Sequence, residues 1–266
     1  MSNQRAGRTS GGGDFGSGAW LGGAASSRAV SGDMFRFPTA EAAAEACGDR
    51  ILALLEAARR ARGIATLAVS GGSTPRLMFQ SMARRSFDWS GIELFWVDER
   101  MVPPSDGQSN YRMTREALLN AISLPEARIH RIAGELAPEK ATIRYVSEIR
   151  RVFGLADIEL PVFDVIQRGM GPDMHTASLF PGEPLILNET DIAAPVWVPK
   201  MAQHRVTLLP GVLKRARQTL CLVSGADKAA GLREVLAAPV DTLLRPAQIA
   251  SSEMAWYVDE LACGGA

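Results

Sequence analysis

The sequence predicts an α/β fold of three-layer, Rossmann-like type, a mostly parallel sheet with helices on both faces. Three observations predict it. Short apolar runs alternate with longer amphipathic segments, the runs end in loops rich in Gly, Ser or Asp, and the long segments carry helix start and stop signals. With 266 residues, 47% of them hydrophobic, the chain can bury one sizeable core.

Taken in order, residues 1–32 are rich in Gly, Ser and Ala, show no helical or strand period, and read as a disordered tail before one folded domain over residues 33–266. Thr39 is an N-cap candidate for a helix with Glu41 and Glu45 early, Arg59, Arg60 and Arg62 late, and Gly63 as its stop, all agreeing with the helix dipole. A buried strand over Ala65–Val69 follows, then the turn Ser70–Pro75 and a helix from Arg76 to about Arg84. Further strands are expected at Ile92–Val97, Phe163–Ile166, Arg205–Leu208 and Thr219–Val223. Helices are expected at Tyr111–Ile122, Glu139–Phe153, Gly211–Ala216 and Asp227–Ala237. In such sheets ligands bind beyond the carboxyl ends of the strands, so the loops after Val69, Val97, Ile166 and Val223 should converge.

Charge and cysteine usage narrow the function classes. Lys+Arg and Asp+Glu are both 29, so no single-sign field recruits nucleic acid or an anionic membrane, and an anionic partner should be small and held in a local pocket. Cys47, Cys221 and Cys263 are widely spaced without a C-x-x-C pair, which suggests neither a disulfide framework nor a metal site and fits a reducing cytoplasm. No apolar run approaches the roughly 20 residues that cross a bilayer.

Four loops hold the candidate chemistry. Ser70-Gly71-Gly72-Ser73-Thr74-Pro75 joins a strand to a helix start, where free N–H groups and the dipole favour an anion; a tight turn needing glycine is the alternative. Asp98, Glu99 and Arg100 follow a strand, and Ser109-Asn110 adds polar groups soon after; a solvated turn is the alternative there. His175 lies in the Gly-rich loop Gly169–Gly182 with Asp173 two residues before it, a setting for acid–base work rather than core packing. The other two histidines, His130 and His204, lack such surroundings, although His204 adjoins Arg205. Lys228 stands at a helix start, where a cation is locally unfavourable by about 0.3–1 kcal/mol, so it suggests an anion held there; a lysine balanced by Asp227 is the alternative.

Together SGGSTP (70–75), FWVDERMVP (95–103) with SNY (109–111), GMGPD-x-HTASLFPG (169–182), RVTL (205–208), SGADKA (224–229) and RPAQ (245–248) resemble the 6-phosphogluconolactonase family. The resemblance spans nearly everything after the tail. It implies the fold type shared with glucosamine-6-phosphate deaminase and ribose-5-phosphate isomerase. It also implies hydrolysis of 6-phospho-D-glucono-1,5-lactone in the oxidative pentose phosphate pathway, without metal or organic cofactor, by a monomer or small homo-oligomer. The roles it implies are His175 as general base, Asp173 orienting it, and Ser70 to Thr74, Arg205 and Lys228 as phosphate contacts. Arg100, Asp98 and Asn110 would line the sugar end, with Arg100 or loop amides as oxyanion donors.

Two features depart from that pattern. Met174 stands where the family has Gly, and Gln167 and Arg168 stand where it has apolar residues. If residue 174 is left-handed, Met costs roughly 1–2 kcal/mol and its side chain is expected to crowd the lactone. Two other functions compete. A deaminase or isomerase would need a glutamate where Phe180 stands, and a noncatalytic sugar-phosphate sensor would normally be fused to a DNA-reading module, which the tail does not supply.

Overall fold

The computed structural model describes residues 32–265; residues 1–31, which hold nearly all of the expected tail, lie outside the described residues, as does Ala266. The regular elements in chain order are β1 (Asp33–Phe37), α1 (Ala40–Arg62), β2 (Ala65–Val69), α2 (Ser73–Ala83), β3 (Ile92–Trp96), β4 (Asp98–Arg100), α3 (Asn110–Ala117) and β5 (Ile129–His130). They continue with α4 (Pro138–Phe153), β6 (Val165–Arg168), β7 (Ala193–Val198), β8 (Gln203–Leu208), α5 (Pro210–Arg215), β9 (Gln218–Val223), α6 (Ala229–Ala237) and β10 (Met254–Asp259). Among the described residues no helix is long and apolar enough to cross a membrane.

A seven-stranded sheet runs in the order β1-β10-β9-β6-β2-β3-β5, and every neighbouring pair in it is parallel. The interior strand β2, between β6 and β3, is buried throughout, which is why it reads as a continuous apolar run rather than an alternating one. From β2 the chain proceeds outward through β3 and β5, then crosses back and proceeds the other way through β6, β9 and β10. The connections after β2 and β6 therefore part, leaving a crevice at their carboxyl ends. A second sheet, β4-β8-β7, is antiparallel. Of this sheet the sequence predicts only the β8 strand, as Arg205–Leu208; Asp98–Arg100 is read there as strand-end polar groups with a solvated turn as the alternative, and β7 is not assigned.

Local chemistry explains the elements that bound the crevice. Helix α1 begins as expected, with Thr39 Oγ1 accepting from Ala42 N at 3.2 Å, and ends where Gly63 adopts φ 81° and its N–H reaches the Arg59 carbonyl at 2.7 Å. Its buried stripe of Ala44, Cys47, Ile51, Leu55 and Ala58 follows the helical period and lies against β10 and β2. Period-two alternation on β3 sends Phe95 onto Phe163 and Tyr145 of α4, and Trp96 onto Tyr111 of α3. β5 stops at His130, opposite Phe95, so Trp96 has no ladder partner on that side. Tyr145 Oη supplies one instead, accepting from Trp96 N at 3.1 Å and donating to Trp96 O at 2.5 Å.

Helix α2 starts at Ser73 rather than Arg76, because Gly72 at φ 124° ends the turn and Pro75 fits the first helical turn, where its missing N–H removes no bond. Helix α3 stops at Ala117, and residues Leu119–Ala121 tighten into a 3-10 turn before the expected end at Ile122. The segment Ala226–Lys228 is likewise a 3-10 turn, with α6 proper beginning at Ala229. The strand expected at Phe163–Ile166 runs Val165–Arg168, and β1 and β10 were not foreseen.

Candidate active site at the carboxyl edge of the parallel sheet

The loops after β2, β3, β6 and β9 converge on one cleft of about 280 Å³. Ser70 to Thr74, Asp98, Arg100, Asn110, His175, Arg205 and Lys228 all line it, while Asp173 stands behind His175. The structure thus brings the candidate catalytic and binding residues named from the sequence to one place.

One wall is the Ser70–Thr74 turn leading into α2. No side chain caps this helix and its first turn holds no acid, so its amides are open to an anion. Ser70 N donates to Gln167 Oε1 at 3.1 Å, which gives Gln167 a specific task at the end of β6, and Ser70 Oγ is buried with no partner among the described residues. Thr74 Oγ1 and Ser224 Oγ lie 2.5 Å apart and tie this turn to the loop after β9. That second loop is held by Asp259, whose carboxylate accepts from Gly225 N at 3.0 Å. Gly225 itself sits at φ 98°. Lys228 pairs with Asp227, as one of the sequence alternatives had it, yet still lines the cleft.

Asp98 and Glu99 form a buried floor rather than a solvated turn. Glu99 accepts from Arg100 N at 2.7 Å, from Asn110 N and Tyr111 N at 2.8 Å, and from Ser109 Oγ at 2.9 Å. Burial pushes its carboxyl up, opposed by these donors. Asp98 accepts from Ser178 Oγ at 2.6 Å and, through its carbonyl, from Asn110 Nδ2 at 2.9 Å. Arg205 Nη1 lies 4.0 Å from Asp98 Oδ2; burial lowers the guanidinium, and the Asp98 charge opposes that. Arg100 donates from Nη1 to Gln108 O at 2.5 Å, and its Nε has no partner among the described residues.

The opposite wall is the loop after β6. His175 Nδ1 lies 2.5 Å from Asp173 Oδ1, and the imidazole tilts over Phe180 with centroids 4.4 Å apart. Because Nδ1 is engaged, the cleft-lining imidazole has Nε2 left for a ligand. Partial burial acts to raise the Asp173 carboxyl, but hydrogen bonds from His175 and Lys200 outweigh it and hold the group well below the ordinary carboxylate range. Gly171 is required here, since a Cβ on it would fall 2.1 Å from His175 Cε1.

Met174 is left-handed, at φ 65°, as the sequence reading had allowed. Its side chain does not line the cleft; it packs with Met170, Leu232 and Val235 against α6, so the expected crowding of a ligand does not arise. Arg168 is also turned away from the cleft, into that same cluster, where it donates to the carbonyl of Ile249.

The remaining histidines are placed elsewhere. His130 is buried between Glu93 and Glu148, at 2.7 and 2.8 Å, and His204 lies on β8 against Trp197. Sequence reasoning missed Ser178, Ser224, Asp259 and Lys200. A hydroxyl beside an aspartate 80 residues away leaves no local trace. Lys200 had a signal only in its place five residues before Arg205 of β8.

Comparison with known proteins gives a concordant result. The sequence profile of the family described as "Glucosamine-6-phosphate isomerases/6-phosphogluconolactonase" matches residues 38–257. The chain is 38% identical over 204 residues to a 6-phosphogluconolactonase of Synechocystis, covering 76% of this chain and 84% of that protein. It is 38% identical over 215 residues to a 6-phosphogluconolactonase of Rhizobium meliloti, covering 78% and 87%. The crystal structure of 6-phosphogluconolactonase from Thermotoga maritima superposes with a TM-score of 0.75 at 26% identity, covering 86% of this chain and all (100%) of that one. A monomeric glucosamine-6-phosphate deaminase, at 16% identity and TM-score 0.74, shares the fold. With its parallel sheet, its strand-end cleft and a profile match across residues 38–257, the chain belongs to the glucosamine-6-phosphate isomerase/6-phosphogluconolactonase family.

Proposed function

We propose that the protein hydrolyses 6-phospho-D-glucono-1,5-lactone to 6-phospho-D-gluconate, the lactonase step of the oxidative pentose phosphate pathway. The observation that carries this reading is the Asp173–His175 pair, whose free imidazole nitrogen belongs to the same cleft as the uncapped start of α2, Arg205 and Lys228. One wall suits a general base, and the other suits a dianion remote from the reacting carbon.

In the proposed reaction His175 Nε2 takes a proton from water as its oxygen adds to the lactone carbonyl carbon. The carbonyl π electrons move onto oxygen, where Arg100 or the loop amides stabilise the charge. Collapse of the tetrahedral species breaks the bond to the ring oxygen, which receives the proton back from the imidazolium. Asp173 accepts from Nδ1–H and stabilises the imidazolium that forms in between. The phosphate, held by the Ser70–Thr74 turn, Arg205 and Lys228, supplies orientation. Asp98 and Arg100 stand at the sugar end, and Asp98 also sets Asn110. No step calls for a metal or organic cofactor, and we place the enzyme in the cytoplasm.

Phe180 disfavours the isomerase branch of the family. It occupies the position of the glutamate in the deaminase loop, and its ring packs on His175, so no carboxylate is available there to shuttle protons. The test is acid release from freshly generated lactone, followed at constant pH against the spontaneous rate. The protein should accelerate it, and His175→Ala should abolish the acceleration while the circular dichroism spectrum is unchanged. A wild-type rate equal to the spontaneous one would refute lactonase activity and favour the sensor reading.

A further inference from the structure

Asp173 has a second partner. Lys200, in the Pro199–Met201 turn between β7 and β8, pairs its Nζ with Asp173 Oδ2, the oxygen not engaged by His175. Its ammonium also lies 4.4 Å from the Phe180 ring centroid, the same distance at which that ring meets the imidazole. Lys200 does not line the cleft. One carboxylate is therefore held at both oxygens by groups from separate elements, with Phe180 packed against both of them.

We propose that Lys200 is a positioning residue for the general base: by holding Asp173 Oδ2 it fixes the rotation of the carboxylate, keeps Oδ1 on Nδ1–H, and so keeps Nε2 unprotonated toward the cleft. The inference rests on the catalytic assignment of His175 and deepens it. Its physical core is the χ2 torsion of aspartate. That torsion is broad and roughly two-fold, so a half-exposed carboxylate bound at one oxygen only can rotate and exchange partners with water. The Asp173 side chain retains 34% exposure, enough for such exchange once Lys200 is removed. Which imidazole nitrogen holds the proton is set by the hydrogen bond that the other one makes. Loss of the carboxylate's hold frees the ring to populate the tautomer with hydrogen on Nε2, which cannot accept a proton from water. The cation–π contact of Lys200 on Phe180 restricts where the ammonium can go, and Lys200 in turn fastens the β7–β8 turn to the loop carrying His175.

The experiment compares the wild type with Lys200→Met and Lys200→Arg by two readouts. The first is the nitrogen NMR spectrum of the imidazoles, taken without substrate. With three histidines in the chain the His175 signals are assigned by their loss in His175→Ala, and those of buried His130 report in the same spectrum that the fold persists. In the wild type His175 should show the tautomer with hydrogen on Nδ1; in Lys200→Met the tautomers should mix, and Lys200→Arg should restore the wild-type pattern. The second readout is lactone hydrolysis, where Lys200→Met should lower kcat about 5- to 30-fold with KM within about twofold, and Lys200→Arg should recover most of it. A wild-type tautomer in Lys200→Met overturns the proposal, as does a rise in KM at constant kcat, which would make Lys200 a substrate contact. The tautomer readout needs no turnover. Failure of the lactonase reading would appear as an inactive wild type with the tautomer shift intact, whereas failure of this proposal appears as an active wild type whose tautomer ignores residue 200.

Discussion

Met174 Cγ lies where residue 231 of α6 has no side chain to meet it: a Cβ built on Gly231 would fall 3.1 Å from that atom. The missing side chain on α6 makes room for the unusual one in the histidine loop, so a residue that looks disruptive in sequence is accommodated behind the cleft. Met174→Gly should relieve left-handed strain of roughly 1–2 kcal/mol while losing packing of similar size. The urea-unfolding free energy should change by no more than about 1 kcal/mol, and KM for the lactone should stay within about twofold. A KM lowered tenfold would show that the methionine reaches the substrate.

Gly71→Ala is expected to be severe for a different reason. Its Cβ would sit 1.8 Å from Asn110 Oδ1, and Asn110 is held on the other side by the Asp98 carbonyl. Overpacking there should cost about 1–3 kcal/mol and displace the start of α3 from the Ser70–Thr74 turn. Loss of activity on the order of 10²-fold is expected, because misplacement of a positioning group by an ångström has that effect. A fully active Gly71→Ala enzyme would show that Asn110 and the turn are free to move apart.

Tyr145→Phe removes the hydroxyl that satisfies both backbone groups of Trp96. Leaving a buried N–H and C=O unpaired should destabilise the protein by about 1–3 kcal/mol per unsatisfied group, read from chemical denaturation. Steady-state kinetics well below the midpoint should be unchanged, since Tyr145 does not line the cleft.

Acid stability can be assigned a residue. Arg151, opposed by partial burial and helped by His130, holds the Glu148 carboxyl down from an ordinary 4.5 to about 2. A carboxylate depressed in the folded state adds stability that is fully present above its unfolded value and is lost as the pH falls through its folded value. Stability should therefore drop between about pH 4.5 and 2. Glu148→Gln should flatten this part of a stability-versus-pH curve measured by urea unfolding, and an unaltered slope would remove Glu148 as a source.

The parts of the fold that could be read from sequence are those whose signals are local. Thr39, the late arginines and Gly63 bound α1 because capping acts within a turn of chain. The apolar run of β2 and the glycines after it mark the Ser70–Thr74 wall of the cleft for the same reason. β4 was hidden because Asp98-Glu99-Arg100 looks solvated until Ser178, Ser109 and the α3 amides are brought to it by the rest of the fold. β1 and β10 were hidden because each is half of a pairing that spans most of the chain. The site followed the same division: Asp173 and His175 are two residues apart and were seen together, whereas Lys200 reaches them from a turn 27 residues from Asp173.

The edge of the sheet has a bearing on how the molecule is made. Among the described residues β1 pairs with β10 alone, and β10 also supplies the Asp259 carboxylate that holds the backbone ahead of Lys228. During synthesis β1 must wait for β10, and the loop after β9 lacks its Asp259 clasp until that closure. A nascent chain halted before Met254 would carry His175 and most of the cleft-lining residues but lack the carboxylate that fastens Gly225, so the cleft is completed only by the last described strand.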